Sequence, residues 1–371
     1  MKITRIKSFL TGRCLLVRVY TDRDLVGNGE AGLWAHHPVV AAAIEELAEY
    51  FVGRDPRRIE HHFQTVSRSA HFAGSVLSAA LSAIDVALWD ILGKEAGLPV
   101  YQLLGGRCRD KVAVFGGIGG STLEEVGESA RQAVADGYTT LRLGPFFPGF
   151  EQRTSAEVVD DAVAMVAAAR EAAGDRVDLG VEIHRNLRPD EAITLAAELR
   201  PFRLKFYEDP LVPESEEALE YVAAHIDIPL AVGERSYSFF QFKELIDRKV
   251  ASFIRADLSL AGGLTQVKKI AALAESALVQ LFPHLMGSPV NGAAFAHLAA
   301  AIPNYAFMES QRDLGIAAEL VDEPFAEEGG FREIRERPGL GVEIDERACA
   351  EIPFEPVKIG GFFHADGSVA H

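Results

Sequence analysis

Cysteine is scarce: Cys14, Cys108 and Cys349 are the only three in 371 residues. An odd number at wide spacing argues against a disulfide framework and suits a reducing compartment. Basic side chains are also short, with 37 Lys and Arg against 54 Asp and Glu and a net charge of −17. A field of that sign repels phosphate backbones and anionic lipid, so neither nucleic acid nor a membrane surface is expected as a partner. No stretch reads as a membrane span, because the most apolar helical window, 75–92, carries Asp85 and Asp90. The N-terminal MKITRIKSFLTGR lacks the apolar core of a signal peptide, and a cytoplasmic location is expected. Nucleotide-binding loops are missing as well. No GxGxxG follows the first strand, and the glycine run at 116–122 (GGIGGST) has no phosphate-binding lysine.

What is present is an ordinary globular balance, 48% hydrophobic and 25% charged, in a chain long enough to bury a large core without staples. The first 110 residues read as an α+β unit. Strands are expected at 2–8 and 14–21 with a further short strand after them, then helices at 38–52, 57–68, 74–93 and 98–104. From residue 111 to 325 the rhythm changes. Short β-branched or aromatic runs at 112–116, 139–143, 177–183, 203–208, 228–233, 251–256, 278–283 and 304–308 alternate with seven Ala/Glu/Leu-rich helical stretches. Eight strands separated by seven helices predict an α/β fold built on a parallel (β/α)8 barrel rather than an open sheet. Residues 326–371 are rich in Gly, Pro and charge and read as a tail returning to the N-terminal unit.

In a parallel barrel the C-terminal strand ends share one mouth. Glu182, Glu208 and Glu234 stand at three successive ends, 26 residues apart in each case. Three carboxylates converging on one point repel one another unless a cation lies between them, and all-oxygen ligation suits Mg²⁺ or Mn²⁺ better than Zn²⁺. The seventh strand ends in His284, one strand after Asp257; a histidine oriented by a carboxylate suits proton abstraction. His184 lies two residues beyond Glu182, on the same face of an extended segment. It is either a general acid opposite His284 or a structural hydrogen-bonding group beside the metal. Glu309, at the eighth strand end, either faces a developing anion or caps a helix. Arg235, Trp34, His36, Arg68 and His71 are candidates for substrate contact from the mouth and the loops above it, with ordinary surface positions as the alternative.

The tract from Ala80 to Lys94 (ALSAIDVALWDILGK), followed by Leu98 to Gly106 (LPVYQLLGG), resembles the enolase superfamily, in its mandelate racemase/muconate lactonizing branch. The ordered motifs around Glu182, His184, Glu208, Glu234, Asp257 and His284 are similar to the D-galactonate and D-mannonate dehydratases of that branch. The resemblance covers nearly the whole chain. It implies a modified (β/α)7β barrel under an α+β capping domain formed by the N-terminal region and the C-terminal tail. It makes Glu182, Glu208 and Glu234 the Mg²⁺ ligands and His284, paired with Asp257, the base that removes the proton alpha to a sugar-acid carboxylate. It gives His184 a part in loss of the 3-hydroxyl and places Glu309 on the enolate side. The implied activity is that of a hydro-lyase converting a small-molecule sugar acid of the aldonate class into a 2-keto-3-deoxy acid. Relatives commonly form symmetric octamers or dimers, so a homo-oligomer is expected.

Three departures from the family pattern stand out. No lysine occupies the second strand end, which reads Leu141-Arg142-Leu143, and this disfavours lysine-based racemisation. Glu182 replaces the usual Asp, and Leu260 stands where the galactonate-type motif has a second histidine. The alternatives are an epimerase or racemase of a hydroxy acid and a sugar-acid-binding relative with little turnover.

Overall fold

In the computed structural model, residues 1–69, 71–312, 315–358 and 360–370 are described. The chain opens with the antiparallel strands β1 (Ile3–Thr11), β2 (Cys14–Thr21) and β3 (Val26–Ala31), covered by helices α1 (His37–Phe51), α2 (Ile59–Ser69) and α3 (Ser75–Ala96). Alternation along β2 divides its side chains between two cores. Leu15, Val17 and Val19 pack with α1 and α3 residues such as Val40, Ile44, Ile84 and Leu88, whereas Cys14 and Leu16 join the core that continues into the barrel. Helix α3 is long and apolar enough to cross a membrane, yet 72% of its apolar window is buried inside the fold. Its two aspartates are buried, and Asp85 serves the interface described below.

A short helix α4 (Val100–Leu103) leads into the barrel. Eight parallel strands follow: β4 (Val112–Ile118), β5 (Thr140–Leu143), β6 (Asp178–Glu182), β7 (Tyr207–Glu208), β8 (Leu230–Val232), β9 (Phe253–Ile254), β10 (Gln280–Leu281) and β11 (Met308–Glu309). Between them run α5 (Leu123–Ala135), α6 (Ser155–Ala173), α7 (Pro189–Leu199), α8 (Glu216–Ala223), α9 (Phe239–Asp247), α10 (Gly263–Ser276) and α11 (Pro289–Ala301). The ring closes because β11 pairs with β4, while Tyr305, just before β11, bridges Leu281 of β10. This is the expected (β/α)7β arrangement. The ladders are shorter than the hydrophobic runs that signalled them, since each strand pairs for only a few residues before turning into its loop. Helix starts carry local signals: Thr154 with Glu157, and Ser238 with Gln241, form capping boxes on α6 and α9.

After the barrel, a hairpin of β12 (Glu327–Glu328) and β13 (Phe331–Arg332) adds antiparallel to β4, and α12 (Glu346–Glu351) reaches β1. There Glu346 pairs with Lys7 at 2.9 Å and Arg18 at 2.8 Å. The N-terminal unit also supplies carboxylates to barrel helices. Asp85 of α3 accepts from the Thr265 amide at 3.0 Å at the start of α10. Glu30 of β3 accepts from Ser288 N (2.9 Å), Ser288 Oγ (2.6 Å) and Asn291 N (3.2 Å) at the start of α11. Helix N-termini have unpaired amides and a partial positive charge, so these carboxylates key the cap onto the barrel.

Candidate active site

The barrel interior is laid down by period-two alternation. Phe206, Phe253, Phe282 and Phe307 form an aromatic floor with Phe115, and two residues further along each strand stand Glu208, Arg255, His284 and Glu309. Glu182 and Glu208 are direct register partners on β6 and β7. Glu234 arrives differently. Glu208 pairs with Ala231 on β8, so Glu234 lies three residues past that register, despite the even sequence spacing. Gly233, at φ +119°, makes the turn that carries it inward, in a region closed to other residues. One carboxylate oxygen from each glutamate lies within 4.8 Å of those of the other two.

Three arginines enclose this cluster. Arg142, at the end of β5, reaches Glu182 and Glu208 at 3.2 Å each and Glu309 at 3.4 Å. Arg255, fully buried on Phe282, lies 2.6 Å from Glu208 and 2.8 Å from Glu309. Arg185 pairs with Glu234 and, at 3.2 Å, with Asp209. The carboxylates respond to this mixture of burial and charge. Burial pushes Glu208 up to about 8 against the pull of Arg255 and Arg142. For Glu309 burial is outweighed by Arg142 and Arg255, which hold it near 2. Glu234 lies well below the ordinary carboxylate range, because His284, Arg255 and Arg185 together overcome its burial. Three hard carboxylate oxygens with no sulfur or imidazole in the set fit Mg²⁺, and part of their repulsion is already offset by guanidinium groups.

On one side of the triad His284 Nδ1 lies 2.7 Å from Asp257 Oδ2, and Nε2 faces Glu234 at 4.0 Å. Burial draws the imidazole pKa down, but Glu234, Asp257 and Glu309 outweigh it and raise it to about 10. His184, just past Glu182 at the end of β6, reaches the cluster through Arg185. Its Nε2 contacts Arg185 Nη2 at 2.8 Å, and since a guanidinium only donates, this nitrogen is an acceptor here. Burial and Arg185 lower its pKa. His184, Arg185 and Asp209 all have positive φ (53°, 66° and 39°), a concentration of costly backbone at one point of the mouth.

The structure thus brings together Glu182, Glu208, Glu234, Asp257, His284, His184 and Glu309. It does not bring in the other candidates. Arg235 turns outward to Glu214 at 2.8 Å. Trp34, His36, Arg68 and His71 are exposed, and among the described residues no hydrogen bond or ion pair ties them to the triad or to His284. Leu260 packs in the cap core, away from the polar cluster. Arg142, Arg185 and Arg255 were not anticipated as site residues. Alternation marked two of them: Arg255 follows Phe253 by two, and Arg142 follows Thr140 by two on a strand searched for lysine.

The comparisons with known proteins agree with this architecture. The model of the mandelate racemase/muconate lactonizing enzyme N-terminal domain matches residues 3–105, and the enolase C-terminal domain-like model matches 125–348. D-galactonate dehydratase of Ralstonia pickettii is 38% identical, and that of Variovorax paradoxus 37%, each over 100% of both chains. Among solved structures, an enolase from Pantoea ananatis with bound D-gluconate and Mg superposes with a TM-score of 0.91 at 31% identity, covering 100% of this chain and 99% of that one. The chain belongs to the mandelate racemase/muconate lactonizing enzyme branch of the enolase superfamily.

Proposed function

We propose that this protein is a Mg²⁺-dependent sugar-acid dehydratase acting on an aldonate. The observation that carries the reading is the three-carboxylate cluster with the His284–Asp257 pair beside Glu234, and with His184 joined to the same cluster through Arg185, which pairs with Glu234. Support for the substrate class comes from the relatives described as D-galactonate dehydratases and from the D-gluconate and Mg of the Pantoea structure. Glu182, Glu208 and Glu234 would hold the ion, which when bound supplies the positive charge that offsets the second negative charge of an enediolate.

The chain's own groups do the proton work. Asp257 fixes His284 through Nδ1, so Nε2 is the atom that takes the C2 proton. Glu234 is the largest of the charges that raise His284, and an ion held by the triad would offset that charge and favour the proton-accepting form of the imidazole. His184 delivers a proton to the departing 3-hydroxyl, so that water leaves rather than hydroxide. That role requires Arg185 to release His184 Nε2. The enol then tautomerises to the 2-keto-3-deoxy acid. The second strand end holds Arg142 and no lysine, and a guanidinium stays protonated at neutral pH, which weighs against a two-base racemisation.

The test is incubation with Mg²⁺ and a panel of aldonic and aldaric acids, followed by semicarbazide detection of 2-keto acid. Dehydration by wild type, with α-deuterium exchange lost in His284→Asn while metal binding persists, is the expected result. Epimer formation without 2-keto acid would replace this reading with the epimerase. Binding without either reaction would reduce the protein to a sugar-acid-binding relative.

A further inference from the structure

We infer that Ser259 is a positioning residue for the His284–Asp257 pair, and that the capping domain sets its position through Gly32. The inference rests on the reading of that pair as the proton-abstracting unit. Asp257 divides its two oxygens. Oδ2 faces His284 Nδ1 at 2.7 Å, while Oδ1 accepts from the Ser259 amide at 2.8 Å and the Ser259 hydroxyl at 2.6 Å. A carboxylate held through one oxygen by two donors cannot rotate about its terminal torsion without losing them, so the other oxygen keeps its aim at the imidazole.

Ser259 is in turn held from the cap. The Gly32 amide, one residue past β3, donates to the Ser259 carbonyl at 2.9 Å. The next residue is held as well: Ser78 Oγ of α3 donates to the Leu260 carbonyl at 2.7 Å, and the Leu260 side chain packs in the cap core. The loop that carries Asp257 into the barrel mouth is therefore gripped on its far side by the capping domain. The approach at Gly32 is close. A Cβ there would lie 2.5 Å from Ser259 Oγ and 3.1 Å from its carbonyl oxygen, so any side chain pushes on the hydroxyl that holds Asp257. Gly32 also begins the segment bearing Trp34 and His36, so movement of that segment is transmitted to the base through two residues.

The test uses the full chain loaded with Mg²⁺ and three variants: Ser259→Ala, Gly32→Ala and the double variant. Ser259→Ala keeps the amide donor and is expected to lower kcat roughly 10- to 100-fold with KM within about threefold, the signature of a lost interaction with a charged group used in the chemical step. Gly32→Ala is expected to lower kcat similarly. The double variant should lose much less than the sum of the two single losses, because removing the hydroxyl removes the closest atom the new methyl meets; additive losses would overturn the coupling. Independently of turnover, the low-field proton resonance of the His284–Asp257 hydrogen bond should shift in both single variants. Should wild type turn over no sugar acid while that resonance still shifts, the reaction assignment fails and the positioning role stands. Unchanged resonance and unchanged kcat in Ser259→Ala overturn the positioning role, whatever the substrate.

Discussion

Replacing Arg255 by Met is the sharpest probe of how the site carries its charge. The guanidinium is fully buried, 2.6 Å from Glu208, 2.8 Å from Glu309 and 3.7 Å from Glu234. Removing one partner of a buried ion pair costs about 3–5 kcal/mol, since the remaining charge keeps its desolvation penalty. Here the two nearest carboxylates differ in what they can do. Glu208 already leans toward its protonated form and can take up a proton at neutral pH, which limits its share of the loss. Glu309 is held near 2 partly by Arg255 and stays charged, so it bears most of the cost. The lower end, about 3 kcal/mol, is therefore expected. With an unfolding entropy of about 2.1 cal/mol/K per residue, a chain of this length loses roughly 4 °C in Tm. Calorimetry in EDTA measures that loss directly. Added Mg²⁺ should raise the Tm of Arg255→Met by more than it raises wild type, because the ion replaces a missing positive charge as well as occupying its own site. A variant that melts within about 1 °C of wild type in EDTA, with the same response to Mg²⁺, would refute this account of the site.

Other expectations follow from single contacts. Burial raises Glu30 from 4.5 to about 7 against its hydrogen bonds from Ser288 and Asn291, so the folded chain keeps a proton that the unfolded chain has lost across that window. Its contribution is full below about pH 4.5 and declines by about 3 kcal/mol as pH rises through 7. Urea unfolding at pH 5 and pH 8 should show a smaller decline in Glu30→Gln than in wild type, and equal declines would contradict the assignment. A Cβ on Gly180 would overlap the tip of the Phe206 ring, so Gly180→Ala should destabilise by about 1–3 kcal/mol through overpacking of the aromatic floor. A denaturant midpoint unchanged from wild type would mean that the ring has room to move. Glu182→Gln removes one carboxylate of the cluster. Because changes to groups that merely support a metal ligand typically cost 10–100-fold, loss of the ligand itself should weaken Mg²⁺ by at least roughly 100-fold in titration calorimetry.

Much of this architecture was legible in the sequence, for identifiable reasons. The Ala/Glu/Leu-rich stretches between the strand runs are helices in the structure, as their composition suggests. The barrel strands, buried on both sides by the ring and its helices, read as short continuous apolar runs. The ligand triad was legible because acidic residues at buried strand ends have few other uses. The offset of Glu234 was not, since equal spacing in sequence says nothing of ladder register, and only the turn at Gly233 restores convergence. The arginines escaped because their meaning is tertiary. Arg142 and Arg255 lie two strands from some of the carboxylates they pair with, and only ring closure brings Glu309 to Arg142. Trp34, His36, Arg68 and His71 lie in loops or at a helix end, where residue type carries little information about direction.

The two-sided burial of β2 makes the N-terminal unit a poor candidate for transplantation. A chimera that grafts another relative's lid onto this barrel would bring a second strand whose inner surface was shaped elsewhere, and the places of Cys14 and Leu16 would have to be filled by residues of matching volume. Exchange of specificity between such enzymes should therefore succeed more readily by trading individual loops than by trading whole lids, and the two parts of this chain are constrained to diverge together.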